Sequence, residues 1–299
     1  MPLAAFPKCY LDQLCVTGEM KVEEWIALSQ ELDVDGLEFY WGFTPWRDRA
    51  RMNEIRQRVE DQGRSIPMMC FSPDFTQPDP DARQKEVDSQ KRAVEATERL
   101  GGTFCRVLSG QRRPEVSRND GLTWVAECIH EVLPFAADHG VTLILENHYK
   151  DGYWLHPEFA QRMDVFLELL ERVGEHPNFG VNYDPSNAVV AGDDPIELLE
   201  AVKGRVVTMH ASDRFLQGGT LEDLRALDAH PVAGYAPVLQ HGVIGQGLND
   251  YDRIFSILEE AGFSGWVSIE DGQDPAVGME HLQESARFLR EKMGVYGLP

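Results

Sequence analysis

No stretch of the sequence approaches the ~18 consecutive apolar residues needed to cross a bilayer. The N-terminal Met1-Pro-Leu-Ala-Ala-Phe-Pro-Lys8 also lacks the long apolar core of a secretory signal. Basic residues are scarce: 28 Lys and Arg stand against 50 Asp and Glu, a formal net charge of −22. Such a surface repels phosphate backbones and anionic lipid, so neither nucleic acid nor a membrane is an expected partner. The five cysteines are odd in number and contain no Cys-x-x-Cys pair, which argues for free thiols in a reducing compartment. The expectation is a cytoplasmic protein. Neither G-x-G-x-x-G nor G-x-x-x-x-G-K-[ST] follows the first strand, which argues against an open nucleotide-binding sheet.

What is present is an alternation of short apolar runs and helical periodicities over all 299 residues, with no composition break. Strands are expected at Ala4–Tyr10, Leu37–Tyr40, Ser65–Phe71, Thr103–Leu108, Val141–His148, Phe179–Asp184, Arg205–His210 and Trp266–Glu270. Helices are expected between them, among them Asn119–His139, Pro157–Val173 and the Asp194-capped helix through Val202. Alternating strands and helices imply parallel pairing. Eight such units fit one closed (β/α)8 TIM barrel spanning 1–299, an α/β fold. Residues 211–249 form an unusually long connection after strand seven, rich in Gly and Pro, and read as a loop or lid.

The last four strands end on chemistry: Glu146, Asp184, His210 and Glu270. In a barrel, the C-terminal strand ends share one mouth. Three carboxylates and an imidazole there suit one divalent ion, Mn²⁺ first and Mg²⁺ or Co²⁺ next, with positions open for substrate. The alternative is four ordinary strand-end polar residues in hydrogen bonds or ion pairs. A metal-bound hydroxy-ketone favours proton abstraction beside the carbonyl. Glu146 and Glu270, each with one oxygen to spare, are the expected acid/base pair, and His148 is the second candidate base or else a solvent-facing loop histidine. Substrate-binding candidates are Asn187 (or a helix cap), Arg214 for a hydroxyl or phosphate (or a structural partner of Asp213), Asp213, Glu38 and Arg106. The last two could equally form a buried ion pair. Aromatics beyond the strand ends (Trp41, Trp46, Tyr149, Tyr153, Trp154) read as pocket wall, His241-Gly-Val-Ile-Gly-Gln-Gly247 as a weak phosphate cradle, and His230 and His241 as lid histidines.

These motifs resemble the xylose isomerase-like barrel superfamily in its sugar phosphate isomerase/epimerase branch. The resemblance rests on Leu-Ile-Leu-Glu146-Asn, Asn-Tyr-Asp184-Pro-Ser-Asn, Met-His210-Ala-Ser-Asp, Gly245-Gln-Gly-Leu-Asn-Asp250 and Gly265-Trp-Val-Ser-Ile-Glu270. It implies a single divalent metal, commonly Mn²⁺, held by Glu146, Asp184, His210 and Glu270, with the two glutamates as acid and base in ketose 3-epimerases. Asn187 stands where those epimerases commonly carry His. Ser268-Ile-Glu-Asp-Gly-Gln-Asp-Pro275 is similar instead to inosose dehydratases, and 3-keto-glycoside lyases belong to the same superfamily. The implied function is isomerisation or epimerisation of a keto-sugar or cyclitol, with elimination close behind, and a small-molecule sugar or keto-glycoside as partner. A non-catalytic sugar- or metal-binding subunit is the rival reading. A homo-oligomer or a partner subunit completing the pocket stays open.

Overall fold

Strand alternation in this chain builds a barrel with two chemically distinct faces. The computed structural model describes residues 1–226, 234–270, 272 and 274–297. Its strands are β1 (Leu3–Ala5), β2 (Gly36–Leu37), β3 (Phe39–Tyr40), β4 (Met68–Cys70), β5 (Phe104–Val107), β6 (Thr142–Glu146), β7 (Phe179–Tyr183), β8 (Val206–Ala211), β9 (Asp213–Leu216), β10 (Leu239–Gly242) and β11 (Trp266–Ile269). The main sheet runs β2-β1-β11-β8-β7-β6-β5-β4-β3, parallel throughout. β2 and β3 are two halves of one strand interrupted at Glu38, so the sheet closes on itself as the expected barrel.

Helices α1 (Val22–Leu28), α2 (Arg49–Glu60), α3 (Pro80–Arg99), α4 (Arg118–Asp138), α5 (Met163–Val173), α6 (Pro185–Ala191), α7 (Pro195–Val202), α8 (Leu221–Ala226), α9 (Tyr251–Glu260) and α10 (Gly278–Val295) follow the strands. Their starts are written in the sequence: Asp79, Ser117, Asp194 and Asp250 each accept a first-turn backbone N–H. Leu143, Leu145, Val181, Tyr183, Met209, Val267 and Ile269 join the apolar cluster shared with the helices. The two-residue period of a strand turns their neighbours the other way, into the barrel. That inner set includes Glu146, Asn182, Asp184, Thr208, His210, Ser268 and Glu270, all buried. Burying each Val, Leu, Ile or Phe of the outer set contributes about 1.5–3 kcal/mol, which offsets the cost of a polar interior.

Three local expectations are corrected. The first strand ends at Ala5 rather than Tyr10, and short helical turns at Lys8–Tyr10 and Gln13–Thr17 follow. Pro7, without an N–H, cannot extend the ladder. The helix expected from Pro157 begins at Met163. Before it, the N–H groups of Glu158 and Phe159 donate to Tyr149 O and Gly110 O, so that backbone is tied to neighbouring loops. Finally, the long connection at 211–249 carries structure of its own, the antiparallel pair β9–β10 and helix α8. Its His230 lies outside the described residues. Among the described residues no helix is long and apolar enough to cross a membrane.

Candidate active site

The four strand-end ligands meet. One donor atom from each of Glu146, Asp184, His210 and Glu270 lies within 4.8 Å of the others, and all four side chains are buried. Asp184 closes β7 and is at the same time the N-cap of α6. Its Oδ1 accepts from Asn187 N at 2.9 Å and from Ser212 Oγ at 2.6 Å, while its Oδ2 is buried with no hydrogen-bond partner. A buried carboxylate oxygen with no donor is costly, and this carboxylate belongs to the cluster. Three carboxylates and one imidazole are a hard, oxygen-rich donor set that fits a divalent cation.

Around the cluster, neighbouring side chains fix each ligand. His210 Nε2 lies 2.9 Å from Glu38 Oε1, which leaves Nδ1 facing Glu146 Oε1 at 3.1 Å and Glu270 Oε2 at 3.6 Å. Burial opposes charge on this imidazole, but Glu38, Glu146 and Glu270 outweigh it and hold its pKa well above the usual value. Glu38 is filled from below, accepting also from Ser268 Oγ and from Cys70 Sγ. Its hydrogen bonds thus go to His210, Cys70 and Ser268 within the barrel, where it orients the imidazole. Glu146 Oε2 accepts from Arg106 Nη1 at 2.8 Å, and Oε1 accepts from Asn187 Nδ2 at 3.2 Å. Burial works against that carboxylate, but His210 and Arg106 prevail and hold it well below the usual range. Asp184 moves oppositely: burial, then Glu270 and Glu146, push it up to about 7. Glu270 is lowered against its burial, chiefly by Lys8, whose Nζ lies 3.3 Å from Oε1.

Arg106, His148 and Glu270 line a cavity of about 220 Å³ together with Lys8, Tyr40, Tyr149 and Asp151. His148 is thus a buried cavity residue, not a solvent-facing loop histidine. Its ring stacks on Tyr149 at 5.0 Å, and its Nδ1 lies 3.9 Å from Glu158 Oε2. Burial pushes the imidazole down to about 4, and it pushes the Glu158 carboxyl up to about 8 in spite of hydrogen bonds from Ser109.

Other expectations are revised. Glu146 is engaged on both oxygens, by Arg106 at Oε2 and by Asn187 and His210 at Oε1. Asn187 is not a helix cap; Asp184 caps its helix, and its amide reaches Glu146. Asp213 is occupied by backbone: Gly245 N and Gly247 N donate to Oδ2 at 3.0 and 2.9 Å, and Asn249 N donates to Oδ1 at 3.2 Å. The glycine-rich turn is therefore a cradle, but its own chain fills it. A side chain at 247 would bring Cβ to 2.3 Å from Asp213 Oδ1, which is why glycine stands there. Arg214 does not pair with the Asp213 carboxylate. Its guanidinium lies 4.3 Å from the Tyr235 ring centre and 5.1 Å from that of Tyr149, fully buried, with no hydrogen bond among the described residues.

Sequence reasoning missed Lys8, Tyr40, Asp151 and Glu158. Lys8 had a readable signal, a lone cation just past the first strand. Glu158 had none, because it lies twelve positions beyond Glu146 in an irregular segment.

Comparison with known proteins agrees with this architecture. An inosose dehydratase of Clostridium beijerinckii is 25% identical over 175 residues, 57% of this chain and 54% of that protein. The chain spans about half the length of the curated relatives it matches. Among solved structures, the IolI protein with a bound zinc atom superposes with a TM-score of 0.76 at 16% identity, covering 99% of each chain. L-ribulose 3-epimerase superposes with a TM-score of 0.75 at 16% identity over 99% of this chain and 95% of its own. At such identities the structural likeness speaks to fold. The model of the xylose isomerase-like TIM barrel family matches residues 26–292, and the chain belongs to that family.

Proposed function

We propose that this barrel is a divalent-metal-dependent sugar-modifying enzyme that removes a proton beside the carbonyl of a keto-sugar or cyclitol and expels an oxygen substituent from the adjoining carbon. The observation that carries this reading is His148, buried in the same cavity as Glu270 and Arg106 and beside the four-ligand cluster. Glu146, Asp184, His210 and Glu270 would hold the ion. Bound there, a Mn²⁺, Mg²⁺ or Co²⁺ ion supplies Lewis-acid polarisation of a carbonyl oxygen. The zinc of the IolI protein and the activity of the inosose dehydratases lend support by similarity.

The chain's own residues divide the remaining work. Arg106 holds Glu146 as a carboxylate and commits it to ligation. Glu270, whose Oε1 lies 3.3 Å from Lys8 Nζ, is the group assigned to take the proton from carbon. The C–H electron pair forms the new carbon–carbon double bond as the carbon–oxygen bond breaks. His148 gives its Nε2 proton to the departing oxygen, which leaves as water or as an alcohol, and takes a replacement proton at Nδ1 from the buried Glu158 carboxyl 3.9 Å away. Tyr149 and Tyr40 wall the cavity. A small sugar or keto-glycoside fits a cavity of about 220 Å³ better than a polymer does.

A second reading, isomerisation or epimerisation, needs the proton returned to carbon. It rests on Glu270 and Glu146 facing each other across the cluster. Incubating the Mn²⁺-loaded protein with inososes and 3-keto-glucosides in D₂O tests both. Release of water or aglycone with formation of an enone supports elimination, whereas deuterium at an inverted or shifted carbon supports epimerisation. No turnover of either substrate class, with metal bound, would sink both readings.

A further inference from the structure

His148 and Glu158 are not explained by the metal cluster. Glu158 is 1% exposed and has no part in ligation. Its Oε1 is fully used, accepting from Ser109 N at 2.7 Å and from Ser109 Oγ. Its Oε2 is buried with no partner, and so is His148 Nδ1. These two orphan atoms face each other at 3.9 Å, about 1 Å beyond hydrogen-bond length. Tyr149, stacked on the imidazole, fixes the plane in which the ring meets the carboxyl. Leaving two such buried polar atoms unpaired is costly, so a small closing movement that joins them is favoured.

We propose that Glu158 is a positioning residue that holds His148 by an Oε2–H···Nδ1 hydrogen bond, so that the imidazole presents Nε2–H to the cavity as a donor. The direction follows from the surroundings. No N–H or O–H among the described residues donates to Oε2, and burial disfavours a charge on this carboxyl. The Ser109 donors both sit on Oε1, which leaves Oε2 as the hydroxyl. Nδ1 faces it at 3.9 Å as a partnerless acceptor, and an imidazole that accepts at Nδ1 carries its proton at Nε2. In the elimination proposed above, Nε2–H is the proton delivered to the leaving oxygen, and Nδ1 takes up the Oε2 proton in the same step, so that the imidazole stays neutral and Glu158 becomes the carboxylate. That consequence rests on the elimination reading, whereas the hydrogen bond and the tautomer do not.

The test is the ¹⁵N spectrum of histidine-labelled, Mg²⁺-loaded protein near neutral pH, with His148 assigned by its loss in His148→Gln. The expected wild-type pattern is a protonated Nε2 and an Nδ1 shifted upfield as a hydrogen-bond acceptor. Glu158→Gln, whose amide oxygen still accepts from Ser109 and whose NH₂ still donates to Nδ1, should keep both features. Glu158→Leu should return Nδ1 to the position of a free acceptor. It should also lower kcat by about 100-fold, the low end of a positioned general acid's contribution, with KM within about twofold. A wild-type Nδ1–H, or a Glu158→Leu spectrum identical to wild type, overturns the proposal. Should Glu158→Leu fail to fold, the wild-type and Glu158→Gln spectra still decide. If the spectra hold and no keto-sugar is turned over, the reaction assignment fails while this one stands.

Discussion

Asp184 and Asp213 are two aspartates at strand ends on the same barrel face, and both are 1% exposed. They differ in what surrounds their oxygens. Asp213 meets four backbone N–H groups, from Arg214, Gly245, Gly247 and Asn249, and both of its oxygens are used. Asp184 is satisfied on Oδ1 only, Oδ2 is buried without a partner, and its carboxylate sits in a cluster with Glu146, His210 and Glu270. The first completes a turn. The second is incomplete without a cation. A buried acid is thus a candidate ligand when its hydrogen-bond inventory falls short, not simply because it ends a strand.

Four changes would break or sharpen this contrast. Asp184→Asn keeps the oxygen that caps α6 but loses the anionic ligand. It should abolish stabilisation by Mn²⁺ in a thermal melt and reduce turnover to background; retained metal stabilisation would refute the site. Arg106→Met leaves Glu146 buried without its cation. Stability of the metal-free protein in urea should fall by about 3–5 kcal/mol, as for other broken buried pairs, and excess Mn²⁺ should recover part of the loss. Asp213→Ala should cost about 2–3 kcal/mol by stranding buried N–H groups. The affinity of metal per folded molecule, read by calorimetry, should stay unchanged; a weakened metal site would show that the two aspartates are not independent.

The smallest effect concerns pH. Burial and two neighbouring carboxylates raise Asp184 to about 7. Below that pH the side chain carries a proton that metal must displace, and above it the ligand is ready. Apparent metal affinity should therefore fall as pH drops through 7, by about tenfold per unit, and level off above it. Titrations in buffers of different ionisation enthalpy would reveal the released proton. A flat affinity between about pH 5.5 and 8 would contradict the raised acid.

Much of the fold was legible because its signals are local. Asp194-Pro195 announces a helix start, and the apolar runs ending at Glu146, Asp184, His210 and Glu270 announce parallel strands. The convergence of those four residues was also legible, since a barrel aligns strand ends. What sequence reasoning assigned wrongly was partner choice. Asp213 and Glu38 looked like substrate contacts and are instead filled by a glycine turn and by His210, Cys70 and Ser268. Nothing in the residues around Glu38 tells that it lies under a histidine 172 positions away.

By itself the sequence determined the order of elements, the helix caps and which residue of each strand faces inward, because period, propensity and capping act over a few neighbouring residues. The tertiary structure alone decided which oxygens are satisfied and which are left waiting. Lys8 against Glu270, Arg106 against Glu146 and Glu158 against His148 are contacts between loops and strands that meet only when the barrel closes. Their energies depend on desolvation and distance, and neither exists until the chain has folded.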